Sequence, residues 1–315
     1  MTFAQQIQNI DYQSLNISEY SRRYILRMLP SIDYYLDIYS RCLDHMICQS
    51  KKAPSDITMV DYGGGHGFLS CYAKHRGIGK VIYIDFNSLA AKTVQAVAQQ
   101  LGLGPDVVLH GDAETLKEWC LENNIRPDFI MGMDVIEHVY RLDTFFADLF
   151  AIRPDMQMLF TTGSTPYNPY VKKKLRKVML SDELGENGFL HERRHHIAHS
   201  FRQFTPEQLD YWAKNTRGLN YDDTLEAVAN NRPHPLADPY NTCDPATGSW
   251  TERILTLRQY QDLIAPHQAK ASVRLGFYNS HRSGAKGFAS RILNLLITML
   301  HAKVLAPFIV LVIKK

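Results

Sequence analysis

A glycine-rich segment is the first place in this sequence where residue types and spacing suit ligand binding. It reads DYGGGHG from Asp61 to Gly67 and continues a short apolar run that begins at Ile57. Glycines in such a turn permit positive φ angles and let a ligand approach the main chain, while the helix that begins next offers free N–H groups. A dinucleotide fingerprint needs Gly-x-Gly-x-x-Gly, but Phe68 stands where its third glycine belongs. The segment therefore predicts a nucleotide-like ligand and disfavours a nicotinamide dinucleotide.

Acidic residues recur at the ends of the apolar runs that follow. Asp85 ends KVIYID, Asp112 follows VVLHG, and Asp134 follows FIMGM. A carboxylate at Asp85 can accept hydrogen bonds from both hydroxyls of a ribose, and one at Asp112 can accept from an adenine amino group. Any one of them alone could be a helix cap or a turn residue. Their repetition at successive strand ends predicts that they share one ligand.

Alternating strands and helices from Ile57 to about Gly163 must position these residues. The predicted strands are ITMVDY, KVIYIDF, DVVLHGD, DFIMGMDV and MQMLFTT, and the predicted helices between them are FLSCYAKH, SLAAKTVQAVAQQLG, ETLKEWCLENN and DTFFADLFAI. Strands separated by helices of this length imply right-handed parallel crossovers and a doubly wound α/β sheet. Such sheets bind ligands beyond the carboxyl ends of their strands, where the acidic residues lie.

The flanking segments complete a division of the chain into three parts. Residues 1–54 are predicted as an N-terminal helical cap, with helices between Ile17 and Ser50 that are separated near Pro30. Residues 55–165 and 263–315 are predicted to form the Rossmann-like core, and 166–262 a substrate-side insertion over the strand ends. Near the C-terminus, ASVRLGFYNSH and PFIVLVIKK are predicted strands, joined by an amphipathic helix that runs to about Val304.

The order of these motifs resembles the class I S-adenosylmethionine (SAM)-dependent methyltransferase superfamily, over about residues 55–165 and again over about 265–315. The resemblance implies a seven-stranded sheet with an antiparallel final strand, in a hairpin formed by GFYNSH and PFIVLVIKK. It implies SAM as the cofactor, with Phe86 beside the adenine and Asp134 beside the methionine end. The SAM-binding residues that it implies are Asp61, Gly63, Gly65, Gly67, Asp85, Phe86, Asp112, Ala113 and Asp134.

The segment DVIEHV, which begins at Asp134, contains three side chains that could bind a metal or transfer a proton. Its two carboxylates and the imidazole of His138 fall within about one helical turn, so they could bind Mg²⁺ or Mn²⁺. The segment resembles the Glu-x-x-Glu-His motif of ubiquinone-biosynthesis O-methyltransferases and of small-RNA 3′-terminal 2′-O-methyltransferases, with an aspartate in the first position. In those branches a metal at this motif is described as activating a hydroxyl. The resemblance makes Asp134, Glu137, His138 and His199 candidate metal ligands.

Two other interpretations of His138 remain open. It could line the acceptor pocket or act as a general base beside Glu137, so these two residues are the candidate catalytic pair. It could also be purely structural. A similar choice holds for the basic clusters of the insertion, which are either solvated helix faces or a landing site for an anionic acceptor such as a phosphate, carboxylate, nucleotide-sugar or RNA. These clusters are Lys172–Lys174 with Arg176 and Lys177, and Arg193 to His196.

Composition narrows the class of protein without naming a substrate. The net charge of +3 is too small to argue for nucleic acid, and five scattered cysteines without a Cys-x-x-Cys pair favour reduced thiols in a cytoplasmic protein. The N-terminus lacks the pattern of a signal peptide. The apolar stretch near the C-terminus is interrupted by polar residues and by Pro307, so an amphipathic helix followed by a buried strand is predicted there rather than a membrane span. A peripheral membrane contact through residues 288–304 is an open alternative for that helix.

The leading hypothesis is an enzyme that transfers a methyl group from SAM to a hydroxyl of a small metabolite or of a glycan or lipid intermediate. The first alternative is a metal-assisted RNA 2′-O-methyltransferase. The second is a protein that binds SAM or a partner without catalysis. We expect no DNA partner. The sequence indicates neither the acceptor nor the oligomeric state.

Overall fold

One seven-stranded sheet organises the computed structural model, which describes residues 1–315. Its strands are β1 (Thr58–Tyr62), β2 (Lys80–Asp85), β3 (Val107–His110), β4 (Phe129–Met133), β5 (Gln157–Thr162), β6 (Lys270–Leu275) and β7 (Ile309–Lys314). They lie in the order β3-β2-β1-β4-β5-β7-β6. Strands β1 to β5 pair in parallel, whereas β7 is antiparallel to both β5 and β6. The predicted Rossmann-like, doubly wound sheet with an antiparallel final strand is confirmed.

Helices precede the sheet, connect its strands and build the segment after β5. They are α1 (Phe3–Gln8), α2 (Glu19–Met28), α3 (Ile32–Ser50), α4 (Phe68–His75), α5 (Ser88–Leu101), α6 (Ala113–Glu122), α7 (Leu142–Ile152), α8 (Pro169–Leu184), α9 (Phe189–Ser200), α10 (Pro206–Asn215), α11 (Tyr221–Ala229), α12 (Leu257–Ile264) and α13 (Gly284–Leu300). None of these helices has the length and apolarity that crossing a bilayer requires.

Two hydrophobic clusters cover the two faces of the sheet. One joins the N-terminal helices and α4 to the sheet through residues such as Ile25, Leu43 and Phe68, and the other joins α6, α7 and α12 through residues such as Phe146 and Ile264. Central strands such as β2 are therefore buried on both faces and read as continuous apolar runs. The edge strand β6 instead alternates between exposed and half-buried residues.

The N-terminal helices follow the predicted pattern with one addition. Helix α2 ends at Met28, a single 3₁₀ turn over Leu29–Ser31 contains Pro30, and α3 begins at Ile32, so the predicted break is confirmed. The unpredicted α1 begins with a capping box, in which Thr2 and Gln5 each bond the other's main-chain N–H. Its short length gave no periodic pattern to detect.

The C-terminal strands are shorter than predicted. Strand β6 ends at Leu275, so GFYNSH does not extend the hairpin. Gly276 makes a last bond to the Phe308 carbonyl, at a position where a Cβ would lie 2.4 Å from the Phe308 ring, and the chain then leaves the sheet towards α3. Helix α13 ends at Leu300 rather than near Val304, because His301 adopts a left-handed conformation with φ of 48°.

Residues 166–262 contain four helices, α8 to α11, with a small apolar core of their own. A buried ion pair between Arg193 and Glu183 connects α9 to α8, and Arg193 also donates to the Ala213 carbonyl at the end of α10. The segment contacts the core through Trp250, whose main-chain N–H donates to the His138 carbonyl. This contact brings the insertion to the loop after β4.

Candidate functional site

The glycine turn follows β1 at the carboxyl edge of the sheet. Gly63, Gly65 and Gly67 have φ angles of 65°, 54° and 80°, all in the left-handed region that favours glycine. A Cβ on Gly63 would lie 2.4 Å from Val135, and one on Gly67 would lie 2.1 Å from Val94. A Cβ on Gly65 would meet nothing within 4 Å. Two of the glycines are therefore required by packing, while Gly65 faces open space.

Two buried carboxylates support the turn from below. Asp61 accepts a 2.6 Å hydrogen bond from Ser70 Oγ, and burial raises the pKa of its carboxyl to about 7. Asp85 accepts from the N–H of Gly65 at 2.9 Å through one oxygen and from the N–H of Asn87 at 2.9 Å through the other. Burial also raises the pKa of Asp85. Asp85 thus fixes the turn while it lines the cavity beside it.

A cavity of about 360 Å³ opens above β2 and β3 at this edge. The structure brings to its wall the predicted residues Gly63, Asp85, Phe86, Asp112 and Ala113. Phe86 is 64% exposed and presents a free aromatic ring. Asp112 is also the N-cap of α6, where it accepts from the N–H of Thr115 at 3.1 Å. The helix-cap role that the sequence left open for Asp112 is thus realised, and its position beside the cavity is compatible with ligand binding.

A second cavity of about 230 Å³ shares Gly63 with the first, so the two meet at the glycine turn. Gly65 and Asp134 also lie in its wall. Asp134 has a φ of 56°, and its Oδ1 accepts from the N–H of Gly163 at 3.2 Å. Asp61 lines this second cavity as well, so every predicted ligand residue except Gly67 lies in the wall of one of the two cavities.

The N-terminal helices supply aromatic walls to the second cavity that were not predicted as site residues. Tyr24 of α2 and Tyr34, Tyr35 and Tyr39 of α3 all line it. Burial raises the pKa of Tyr24 to about 12, so its hydroxyl is a protonated donor at neutral pH. In the sequence these tyrosines lie in a segment that was predicted only to be helical, and helical periodicity does not separate a cavity wall from a core.

His66, within the glycine turn, connects that turn to α2. Its Nε2 lies 2.8 Å from the sulfur of Met28, and its ring centroid lies 5.6 Å from that of Tyr24. Burial lowers the pKa of the imidazole to about 4, so the ring is neutral at physiological pH. Through His66 the N-terminal helices are packed directly onto the glycine turn.

Glu137 points into the protein rather than into either cavity. Its Oε1 accepts from Thr162 Oγ1 at 2.7 Å and from the N–H of Gly163 at 3.2 Å, while Oε2 has no partner. Burial, followed by the charge of Asp134, raises the pKa of Glu137 well above its ordinary value. The geometry gives Glu137 the position of a residue that holds the end of β5 beside Asp134.

His138 lines the first cavity and is held by the insertion. Its Nδ1 lies 2.8 Å from the Trp250 carbonyl, which can only accept, so Nδ1 carries the proton. The lone pair is then on Nε2. This tautomer leaves His138 able to accept a proton from a group in the cleft.

The four candidate metal ligands do not converge. Glu137 Oε1 is engaged by Thr162 and Gly163 at the end of β5. His199 lies on α9 with its ring centroid 4.5 Å from that of His195. The structure contains no group of three or more His, Cys, Asp or Glu side chains that could hold a metal ion. The residues present therefore do not fit the Mg²⁺ or Mn²⁺ site that the motif suggested, because His199 belongs to a separate helical unit.

Glu252 is a further carboxylate at the site that the sequence did not indicate. Its Oε2 accepts from Ser164 Oγ at 2.5 Å, just beyond the end of β5. Burial raises its pKa, an effect that His138 opposes and Asp134 reinforces, so all three groups lie within electrostatic reach. No motif surrounds Glu252, and only the folding of the insertion brings it here.

Comparisons with known proteins find similarity only among solved structures. No family model matches the chain, and no curated protein is similar to it. Among solved structures, a SAM-dependent methyltransferase from Archaeoglobus fulgidus is 12% identical, with 93% of this chain and 99% of that chain covered and a TM-score of 0.43. A SAM-dependent methyltransferase from Aquifex aeolicus is 19% identical, with 38% and 62% covered and a TM-score of 0.30. A mutant of the protein MtNAS is 16% identical, with a TM-score of 0.34, and the chain spans about half of its length, 52%.

Proposed function

We propose that this protein is a SAM-dependent methyltransferase and that SAM lies in the first cavity and extends past Gly63, so that only its amino-acid end enters the second cavity. The observation that carries the proposal is that the two cavities share Gly63 at the carboxyl edge of the sheet. A carboxylate at the end of β2, Asp85, lies in one half, and Asp134 at the end of β4 lies in the other. An elongated ligand with a ribose at one end of the turn and a polar amino-acid end at the other suits this arrangement.

The chain's residues divide the work of holding such a ligand. Each Asp85 oxygen accepts one main-chain N–H and keeps a free lone pair, so the carboxylate can accept from a ribose diol without moving. Phe86 offers a flat apolar surface to a base, and Asp112 offers a carboxylate to the edge of that base. Gly65 lets the ligand approach the main chain because nothing fills its Cβ position.

Bound SAM supplies an activated methyl group that transfers by in-line displacement, so the protein contributes mainly by positioning the acceptor. The second cavity is the proposed acceptor side, since tyrosine rings and hydroxyls surround Asp134 there. His138, which lines the first cavity rather than the second, is the proposed base for an acceptor hydroxyl that lies where the two cavities adjoin. Glu137 is the proposed positioning residue, because it holds the end of β5 against Asp134.

The finer proposal is O-methylation of a small metabolite or of a glycan or lipid intermediate. Support comes from the size of the second cavity, about 230 Å³, and from its mixture of aromatic surface and protonated hydroxyls. The basic start of α8 also suits an anionic acceptor. RNA ends share that charge and so belong in the same acceptor screen, although the candidate metal ligands do not assemble.

Calorimetry with SAM and with its demethylated product tests the proposal first. We expect one site per chain, and we expect Asp85→Asn to weaken SAM binding by roughly 10- to 100-fold through the loss of charge-assisted hydrogen bonds. Glu118→Gln makes the same chemical change at an exposed position on α6 and should leave the affinity unchanged.

A methyl-transfer screen with labelled SAM against metabolite, lipid and RNA pools then identifies the acceptor. Transfer to a hydroxyl that is lost in His138→Ala, with SAM affinity retained, would support the assigned roles. Absence of binding to both SAM and its product would contradict the methyltransferase proposal. Binding without transfer to any pool would favour the non-catalytic alternative.

A further inference from the structure

Helix α13 is packed with its large apolar residues facing outward. Phe288, Ile292, Leu295 and Met299, which we call the α13 stripe, follow each other at spacings of four, three and four residues and so share one face. Their side chains are 66%, 45%, 57% and 69% exposed. Leu300 and Val304 extend the apolar surface at 69% and 58% exposure.

The opposite face of α13 makes the contacts with the protein, and it is built from small and polar residues. Gly287, Ser290 and Ile297 are buried, and the amide of Asn294 exchanges two hydrogen bonds with the main chain of Tyr278. An amphipathic helix normally buries its apolar face in the core. Here the apolar face is exposed to solvent. An exposed apolar surface of this kind is typical of a site that contacts another protein or a membrane.

The part of the chain that carries α13 is basic. No Asp or Glu follows Asp262 in the sequence. Four basic residues, Arg282, Lys286, Arg291 and Lys303, lie on α13 or within three residues of its ends, whereas Lys270 and Lys314 pair with each other at the opposite edge of the sheet. A basic apolar helix of this kind is typical of segments that lie in the interface of a membrane.

The basic start of α8 adjoins the end of α13. Asn168, the N-cap of α8, donates to the Ala306 carbonyl at 3.1 Å, and Lys303 lies 5.3 Å from the centre of the Tyr167 ring. Along α8, Tyr170, Lys173 and Lys177 share an exposed face. The start of α8, which leads into these lysines, thus lies next to the turn that follows α13.

This surface adjoins the mouth of the second cavity. Phe308, which follows α13, lines that cavity, and so does Tyr34, whose hydroxyl donates to the Phe277 carbonyl at the start of the same connection. Both ends of the segment that carries α13 therefore touch the walls of the proposed acceptor site.

We propose that the α13 stripe, together with the basic start of α8, docks this protein on an anionic phospholipid bilayer. The stripe enters the boundary between headgroups and acyl chains, and the lysines and arginines contact anionic headgroups. A second inference, about the acceptor, rests on the proposed function. Because docking brings the second cavity to the lipid headgroups, the acceptor is a membrane-resident molecule whose polar end is methylated.

Charge favours a bilayer over a second copy of this chain as the partner. A symmetric dimer through the α13 stripe would place the same face against itself. Such a dimer would bring together two copies of a helix that carries Lys286 and Arg291 and has no acidic residue to offset the repulsion. An anionic bilayer supplies both an apolar phase and the opposite charge.

Flotation of the full-length protein with lipid vesicles tests the proposal. We expect binding to vesicles of phosphatidylcholine with phosphatidylserine, and weaker binding to pure phosphatidylcholine and at high salt. Leu295→Glu should reduce binding roughly tenfold or more, because it removes apolar burial and adds a like charge to the lipid. Leu121→Glu is the matched control, since Leu121 on α6 is 59% exposed against 57% for Leu295, and it should bind as the wild type does.

The double change Lys173→Gln and Lys177→Gln tests the second half of the surface. It should weaken binding to anionic vesicles by about fivefold for each charge removed and leave binding to neutral vesicles unchanged. SAM affinity, measured by calorimetry on every variant, reports folding and the proposed function separately from docking. Equal flotation of Leu295→Glu and Leu121→Glu would overturn the proposal, and so would a wild-type dimer that Leu295→Glu converts to a monomer.

Discussion

The glycines of the turn after β1 share a backbone conformation but differ in what surrounds them. Gly65 and Gly67 both have positive φ, so alanine at either position carries a similar conformational cost of about 1 kcal/mol. Only at Gly67 would the new Cβ lie 2.1 Å from a neighbour, Val94. Alanine substitutions can therefore distinguish the proposed ligand contact at Gly65 from the packing requirement at Gly67.

We expect Gly65→Ala to fold and to lose SAM affinity by roughly tenfold, because the methyl group enters the space of the ligand. Gly67→Ala should lower the free energy of unfolding by more than about 3 kcal/mol, since strain and overlap with Val94 add. Calorimetry and denaturant unfolding measure the two effects. Gly102→Ala is the control, because Gly102 also has positive φ and open space but ends α5 away from the cleft. Equal loss of SAM affinity in Gly65→Ala and Gly102→Ala would contradict this assignment.

At the residue scale, strand-end aspartates could be located from sequence because they follow apolar runs, but their partners could not. Asp112 lines the cavity and caps α6, and the sequence pattern is the same for both roles. The tautomer of His138 depends on the carbonyl of Trp250, which is distant along the chain. A hydrogen bond between remote segments leaves no local signal in either of them.

At the scale of elements, the helices after β5 depend on one buried ion pair. Arg193 is fully buried, and Glu183 also accepts from Thr242, so three segments meet at this pair. The neighbouring pair, Arg194 with Asp210, joins α9 to α10 at the surface. Two adjacent arginines of one helix thus offer a buried and an exposed ion pair for comparison.

We expect Arg193→Met to destabilise the α8–α10 unit by about 3–5 kcal/mol, because it leaves Glu183 buried without its charge partner. Arg194→Met should cost less than about 1 kcal/mol, since exposed pairs contribute little. Hydrogen exchange measures both variants. Faster exchange in α9 and α10, with protection of β1 and β4 retained, is the expected pattern for Arg193→Met. Uniform loss of protection across the sheet would show that the insertion and the core unfold together.

The elements of the core were predictable because strand and helix periodicity alternates there without interruption. The pattern failed where a tertiary contact ends an element. The residues after Leu275 have the composition of a strand, yet the approach of Gly276 to the Phe308 ring turns the chain out of the sheet. The bounds of the helices in the insertion could not be predicted because basic and histidine-rich faces conceal their small apolar core.

At the scale of the whole molecule, the burial of Asp61 couples stability to pH. The pKa of Asp61 is raised to about 7 in the folded protein and is about 4 in an unfolded chain. A raised folded pKa contributes stability that is complete at low pH and is lost as pH rises through about 4 to 7. Ionisation of the buried Asp61 carboxyl as pH rises therefore lowers the free energy of unfolding.

We therefore expect Asp61→Asn to gain thermal stability relative to wild type as pH rises from 4 to 7, with the difference constant above about 7. Ser70 can still donate to the amide oxygen, so the packing is retained. Thermal unfolding of the cofactor-free protein across this pH range measures the difference. Asp33→Asn, an exposed position on α3, should show no such trend. A stability difference that does not vary with pH would refute the coupling.

The cleft as a whole was only half predictable. Its cofactor side lies on consecutive strand ends of one continuous fold pattern, so residues such as Asp85 could be placed from sequence. The acceptor side combines Tyr24 and Tyr35 from the N-terminal helices, Phe308 from the C-terminal connection and, at its margin, Glu252 from the insertion. These segments lie far apart in the chain, and no local pattern records that they converge.

The position of β7 between β5 and β6 has a consequence for synthesis on the ribosome. Strand β6 pairs only with β7, yet it emerges first, and residues 276–308 must follow before β7 is made. Until then β5 and β6 each have an edge without a pairing strand. Unpaired strand edges of this kind promote association between nascent chains. The parallel half of the sheet can form early, whereas completion of the acceptor side waits for the last strand. A nascent chain can therefore form its glycine turn well before it acquires Phe308 and completes the second cavity.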